Sequence, residues 1–245
     1  MRIILNLIVD IGNTCLKIAL FEKNNLIEKS YLLDNYLDNI KNILSKNPVE
    51  NSIVSNVGEI NDELISVLND NTDLVLFNNI LKLPFKNTYS SKETLGQDRI
   101  ALVSSASYQF PDENVLIIDA GTCITYDFKN HNNEYIGGGI SPGIKMRFKS
   151  LNLFTSKLPL IDVFDDFELI GNNTKESLIS GVVNGTTMEI DGIIQQYCDK
   201  FKNIRIILTG GDSKFLLKRI KNTIFADQNF LTKGLNYLLE ANIEK

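Results

Sequence analysis

Residues 7–21 read LIVDIGNTCLKIALF and residues 116–128 read LIIDAGTCITYDF. Each copy runs from an apolar stretch to an aspartate, passes through Gly and Thr, and enters a second β-type stretch. Apolar runs of this length around a glycine turn read as paired strands. The second copy has one residue fewer in its turn. A chain that repeats a strand–turn–strand unit in each half resembles a tandem duplication and is expected to fold as an α/β architecture of two similar lobes.

The rest of the pattern fits that constraint. Strands are expected at 3–10 and 15–22 around Gly12-Asn13-Thr14, at 26–33, 51–57 and 72–78, with helices at 36–46 and 60–70. A polar loop from residue 83 becomes a helix from about Gly96, with Ile100, Val103 and Ala106 or Ser107 on one face, and Pro111 stops it. The pattern then restarts. NVLIIDAG and CITYDF are strands, and EYIGGGISPG is a strand entering a Gly-rich loop. Helices follow at 143–155 and 174–200, a buried strand and Gly-Gly turn at 204–211, and helices at 213–220 and 232–243. No low-complexity linker separates the halves, which divide as 1–111 and 112–245.

The repeated turn has a chemical use. Gly12 permits close backbone approach. Turn N–H groups, with the Asn13 and Thr14 side chains, can donate to phosphate oxygens. Asp10, at a strand end, can hold Mg²⁺ directly or through water, and Lys17 can reach the same phosphates. The second copy, Asp119-Ala120-Gly121-Thr122, repeats the acid, the glycine and the hydroxyl. One such turn is an ordinary hairpin. Hairpin geometry does not require an acid and a threonine at the same places in both copies. Thr209-Gly210-Gly211-Asp212, after the strand IRIIL, adds a junction where a nucleotide base or ribose can lie against backbone.

Composition removes other classes. The net charge of −5 without a basic stripe argues against a nucleic-acid partner. The three cysteines are scattered, without the spacing of a zinc site, and fit a reducing cytosol. The N-terminal apolar run is too short for a signal peptide, and no stretch approaches the roughly 20 apolar residues of a membrane span.

Taken in order, DIGNT (10–14), Tyr89 seven residues before Gly96, GQDRIA (96–101), DAGTCITYD (119–127), GGGISPG (137–143), NTKESLISG (173–181) and TGGD (209–212) resemble the type III pantothenate kinase family over nearly the whole chain. That family belongs to the acetate kinase, sugar kinase, Hsp70 and actin superfamily. The resemblance implies an α/β chain of two similar ribonuclease H-like lobes, the actin-like ATPase fold, with an active-site cleft between them. It implies cytoplasmic, ATP-dependent phosphorylation of pantothenate to 4′-phosphopantothenate, the first step of coenzyme A biosynthesis. Two alternatives stand beside it: another small-molecule kinase of the superfamily, and a non-catalytic nucleotide-binding regulator.

The roles follow by resemblance. Asp98 is the general base. Asp10, Ile11, Gly12, Asn13, Thr14, Cys15, Leu16 and Lys17, with Thr122, contact ATP. Tyr89, Gly96, Gln97, Asp98 and Arg99 line the pantothenate site, with Arg99 as a fork for the substrate carboxylate. Thr174 reaches pantothenate from a neighbouring subunit of a homodimer. Asp119 helps hold a monovalent cation, K⁺ or NH₄⁺, besides the Mg²⁺ that accompanies ATP and falls to Asp10. From the residues alone, Asp98 also reads as a helix cap, Arg99 as a surface charge and Thr174 as an N-cap with Ser177 at N3. The chain departs from the family at Asn56 and Gly58, at Lys92 and at Leu102. None of these is a proposed catalytic group. His131 reads as part of a polar hairpin loop. Cys15 and Cys123, beside the turns, read as packing residues.

Overall fold

The computed structural model describes residues 4–12, 15–33, 35–56, 61–77, 81–162 and 168–243. Asn13 and Thr14 lie outside the described residues, as do Val57 and Gly58. In chain order the elements are β1 (Leu5–Ile11), β2 (Leu16–Glu22), β3 (Asn25–Leu32), α1 (Tyr36–Lys46), β4 (Val49–Asn56), α2 (Asp62–Asn71), β5 (Asp73–Leu76) and β6 (Lys86–Asn87). Then come α3 (Gln97–Gln109), β7 (Asn114–Ala120), β8 (Cys123–Lys129), β9 (Glu134–Pro142), α4 (Ile144–Leu153) and α5 (Thr174–Lys200). The chain ends with β10 (Ile204–Thr209), α6 (Ser213–Leu217), β11 (Phe225–Ala226) and α7 (Phe230–Asn242). No helix among the described residues is long and apolar enough to cross a membrane.

Two compact units result. The first holds Met1–Asp112, Asn132–Ile136 and Asn229–Lys245; the second holds Glu113–His131 and Gly137–Gln228. A division by sequence order gives α7 to the second half, yet it groups with the first. The reason is its packing on α3, where Tyr108 and Tyr237 stack with ring centroids 3.9 Å apart.

In the first unit the sheet order is β3-β2-β1-β4-β5. Alternation along β1 sorts its side chains by face. Leu7 and Val9 join a core with Ile18, Leu20 and Val54, covered by Ile40 of α1 and by Leu64 and Leu68 of α2. Asn6, Ile8 and Asp10 take the other face. There Asn6 donates to Asn236 at 3.0 Å and to Glu240 at 2.6 Å, both on α7.

In the second unit β7 lies between β10, parallel to it, and β8, antiparallel to it. The full strand order is β11-β10-β7-β8-β9-β6, with β6 pairing along Glu134 and Tyr135, residues of the first unit. Leu116, Ile118, Tyr126, Phe148, Val183, Ile190 and Leu208 build its core beneath α4 and α5. His131 sits in the turn before β9, its N–H donating to Asn114 at 3.0 Å.

The repeated phrase is a repeated structure. β1 has an antiparallel neighbour in β2 and a parallel one in β4; β7 has the same two kinds of neighbour in β8 and β10. Asp10 stands opposite Lys17 and Ser55, and Asp119 stands opposite Thr125 and Thr209.

Candidate active site

Asp10 is placed by the last turns of the β1 ladder and is 2% exposed. A buried carboxylate needs a partner, and Lys17, directly across the hairpin, donates to it at 2.8 Å. The Gly12 N–H donates to the Cys15 carbonyl at 3.2 Å and closes the described part of the turn. Ile11 and Leu16 end the two strands, facing each other in the ladder.

The start of α3 lies by this strand end. Gly96 is its N-cap without a side-chain cap bond. Gln97 accepts from the Asn56 N–H at 2.8 Å, which ties the helix start to the tip of β4. Asp98 does not cap the helix in the usual way: its Oδ1 accepts from the next N–H, that of Arg99, at 2.8 Å. Burial pushes the Asp98 carboxyl above its usual value, opposed by the Arg99 N–H and reinforced by the Asp10 charge. Two acids, Asp10 paired with Lys17 and Asp98 at the helix start, therefore act on each other within one unit.

Arg99 is not a surface charge. It is 5% exposed, with its guanidinium carbon 5.5 Å from the Tyr89 ring centre and 5.9 Å from that of Tyr135. Those rings stack at 5.8 Å. Aromatic faces suit a guanidinium, and its planar fork is the shape that pairs bidentately with a carboxylate. Tyr135 is missed by sequence reading, because its role depends on a strand far along the chain. Ser55 is missed too. It is fully buried beside Asp10, and its Oγ has no hydrogen-bond partner among the described residues.

In the second unit the Gly121 N–H donates to the Cys123 carbonyl at 2.9 Å, matching the Gly12 bond of the first turn. Two further segments press on this turn. The Gly143 N–H donates to the Thr122 carbonyl at 3.1 Å, and the Asp212 N–H to the Ala120 carbonyl at 2.9 Å. Gly210 has φ 92°, and a Cβ there would stand 2.3 Å from both the Ala120 oxygen and Asp119 Oδ1. Only glycine serves at that position. Burial raises the Asp212 carboxyl, opposed by the Lys145 charge.

Thr174 is the first residue of α5 and exposed, in a shallow pocket of about 450 Å³ with Gly171, Asn173 and Ser177. It is not the N-cap. Asn173 holds that place, accepting from the Glu176 N–H at 3.0 Å, while Glu176 accepts from the Asn172 N–H at 3.1 Å. The cap therefore lies one residue earlier than expected, with an acid rather than Ser177 at N3. That leaves the Thr174 hydroxyl unassigned by the helix.

Chemically, the first unit offers an acid–lysine pair at a glycine turn, a second acid at a helix start, and a buried arginine on an aromatic platform. The second offers a matching turn with an acid and a threonine. A family model of type III pantothenate kinase matches residues 6–196. The chain belongs to the type III pantothenate kinase family. A relative from Christiangramia forsetii described as a type III pantothenate kinase is 47% identical over 240 residues, 97% of this chain and 99% of its own length. Among solved structures, a Baf family protein from Campylobacter jejuni superposes with a TM-score of 0.61 at 24% identity, covering 96% of this chain and 98% of that one. A glucokinase from an Antarctic psychrotroph gives 0.51 at 11% identity, covering 96% and 98%. At such identities these two structures speak for the fold alone, the two-lobe α/β fold of sugar kinases and actin-like ATPases.

Proposed function

We propose that the chain carries out the reaction its family name describes, the ATP-dependent phosphorylation of pantothenate that opens coenzyme A biosynthesis, with Asp98 as the base for the attacking 4′-hydroxyl. The single observation that carries the Asp98 role is its place: a buried carboxyl at the start of α3, in the field of Asp10 and one residue before the Arg99 platform. Phosphoryl transfer in most analyses has a loose transition state, so alignment and charge stabilisation matter more than early proton removal. Asp98 accordingly orients the hydroxyl as well as accepting its proton. A carboxyl pushed upward by burial is a better acceptor for it.

The other roles rest on the same reading. Asp10 to Lys17 in the first unit and Thr122 in the second take the ATP phosphates. Tyr89, Gly96, Gln97 and Arg99 take pantothenate, with Arg99 on its carboxylate. ATP brings Mg²⁺, which shields the phosphate charge. Such an ion keeps several waters and needs only one or two protein carboxylates, so the single acid of the first turn, Asp10, fits it. Among the described residues no cluster of three or more acids, His or Cys is arranged for a metal. Asp119, backed by Gly210, is the ligand for K⁺ or NH₄⁺.

A homodimer in which Thr174 serves the neighbouring copy is supported by apolar side chains on the second unit. Leu153, Phe154, Leu169, Ile170 and Met188 are each at least 66% exposed. Exposed groups of this kind call for a cover. The enzyme belongs in the cytoplasm, with its ATP.

ADP release with ATP, Mg²⁺ and K⁺, with and without pantothenate, and again with Na⁺ in place of K⁺, tests the reading. Turnover that requires pantothenate and falls in Na⁺ is the expected result. Turnover with other acceptors but not pantothenate would reassign the substrate.

A further inference from the structure

The segment Ser141-Pro142-Gly143, at the end of β9, lies against the second phosphate turn with no slack. A Cβ on Gly143 would stand 2.1 Å from the Gly121 oxygen and 2.5 Å from the Thr122 oxygen. Beyond the pairing of β9 with β8, the Gly143 N–H donates to the Thr122 carbonyl at 3.1 Å. Pro142 has no N–H to add. Side chains add to this hold. Arg147, on the first turn of α4, donates from Nε to the Pro142 carbonyl at 2.9 Å and from Nη2 to Ser141 Oγ at 2.9 Å.

Arg147 is itself held by Glu189 of α5 through a direct ion pair. The second oxygen of Glu189 accepts from the Tyr126 hydroxyl at 3.0 Å. Tyr126 lies on β8, the strand that leaves the same phosphate turn. The connections therefore close into a ring: turn, β8, Tyr126, Glu189, Arg147, Ser141 and Pro142, Gly143, and the turn again. Every member belongs to the second unit. Burial acts to raise the Glu189 carboxyl, but the donors Arg147, Ser141 and Tyr126 outweigh it and hold the group below its usual value.

We infer that Glu189 and Arg147 are positioning residues for nucleotide binding: the pair clamps Ser141–Gly143 onto the turn Asp119–Thr122 and fixes the shape in which that turn meets phosphate. This rests on the reading of that turn as a phosphate site. An ordinary surface ion pair contributes little. What distinguishes this one is that both partners spend their remaining hydrogen bonds on the two chain segments that form the site.

The test is calorimetric binding of AMP-PNP with Mg²⁺, which needs no acceptor and no turnover, on wild type, Glu189→Gln, Arg147→Met and the double variant, with Tm measured for each. The expected result is binding weaker by roughly tenfold in each single variant, with the double variant no weaker than the worse single one, since both break one ring. Should the single variants fail to fold, Tyr126→Phe removes one hydroxyl from the ring and is expected to weaken binding about threefold. Variants that bind within about twofold of wild type, whatever their Tm, would overturn the inference and leave an ion pair of structural use only. A wild type that does not bind AMP-PNP would overturn the inference together with the phosphate reading of the turn, so the two failures are distinct.

Discussion

Lys17 donates to the carboxylate of Asp10 at 2.8 Å from the position directly across the hairpin. The acid is 2% exposed and the lysine 29%. Breaking such a pair from the lysine side leaves a buried charge without compensation, whereas removing both charges is far milder. Lys17→Met is expected to lower unfolding free energy by about 2 kcal/mol, less than for a wholly buried pair because the lysine reaches water. Lys17→Met with Asp10→Asn is expected to recover most of that. Urea denaturation of the three proteins measures both. AMP-PNP affinity should fall in all variants, since stability can be restored without restoring the charge offered to phosphate.

Asp98 predicts opposite effects on activity and stability. Asp98→Asn keeps the acceptor for the Arg99 N–H and loses the base. It is expected to reduce kcat at least about a hundredfold while AMP-PNP affinity changes little. Burial raises the folded-state value of this carboxyl above the ordinary 3.8. The folded chain therefore binds the proton more tightly than the unfolded chain. The resulting stability is fully present below the unfolded value and is lost as pH rises through the folded one. Asparagine stays neutral throughout. The variant should have the higher Tm at pH 7 without nucleotide, and the gap should narrow toward pH 4. Equal loss of binding and turnover, with a lower Tm at pH 7, would make Asp98 a structural residue.

The sequence carried the elements further than it carried the site. α1 and α5 have the bounds expected of them from the sequence. The doubled phrase led to two hairpins with equivalent acids. β6 and β11 are two residues each and have no pattern to read. α7 joined the first unit through contacts with α3, which no local signal announces. Arg99 resembled a surface charge because its companions Tyr89 and Tyr135 are far apart in sequence, and only the strand pairing of β6 with β9 brings them together. Ser55 is invisible for the same reason: a serine in a β run means nothing until its neighbour across the sheet is known to be Asp10.

Gly210 backs the acid proposed for the monovalent cation. Alanine there would have to adopt φ 92° and place a Cβ 2.3 Å from Asp119 Oδ1. The carboxylate would be displaced before the strand gave way. Gly210→Ala is expected to cut the stimulation of turnover by K⁺ over Na⁺ at least about fivefold, at a backbone cost on the order of 1–3 kcal/mol. Rates in the two salts, normalised to folded protein, separate these effects. An unchanged K⁺ to Na⁺ ratio would remove Asp119 from the cation site.

Arg99→Lys retains the charge and loses the planar fork that lies over Tyr89 and Tyr135. A compact ammonium cannot pair bidentately with a carboxylate. The KM for pantothenate should rise by roughly tenfold to a hundredfold, with the KM for ATP unchanged. Pantothenol, which has no carboxylate, should lose little between wild type and variant. If both acceptors suffer alike, Arg99 acts on the fold of the α3 start rather than on the substrate.

The start of α5 allows a cap to be separated from a binding group one residue apart. Asn173 satisfies the Glu176 N–H, so Asn173→Ala removes the cap and is expected to cost about 1 kcal/mol of stability. Thr174 makes no cap bond, and its hydroxyl lies exposed in the shallow pocket. Thr174→Ala should leave Tm within experimental error and raise the KM for pantothenate several-fold. If Thr174 serves the neighbouring subunit, mixing Thr174→Ala with Asp98→Asn protein, each impaired at pantothenate well below KM, regenerates active sites in the mixed dimers, because one site then has both its own Asp98 and an intact Thr174 from its partner. Activity rising above the sum of the two parents after subunit exchange is the expected outcome. Strictly additive activity in verified mixed dimers would place Thr174 in its own subunit's site, or in none.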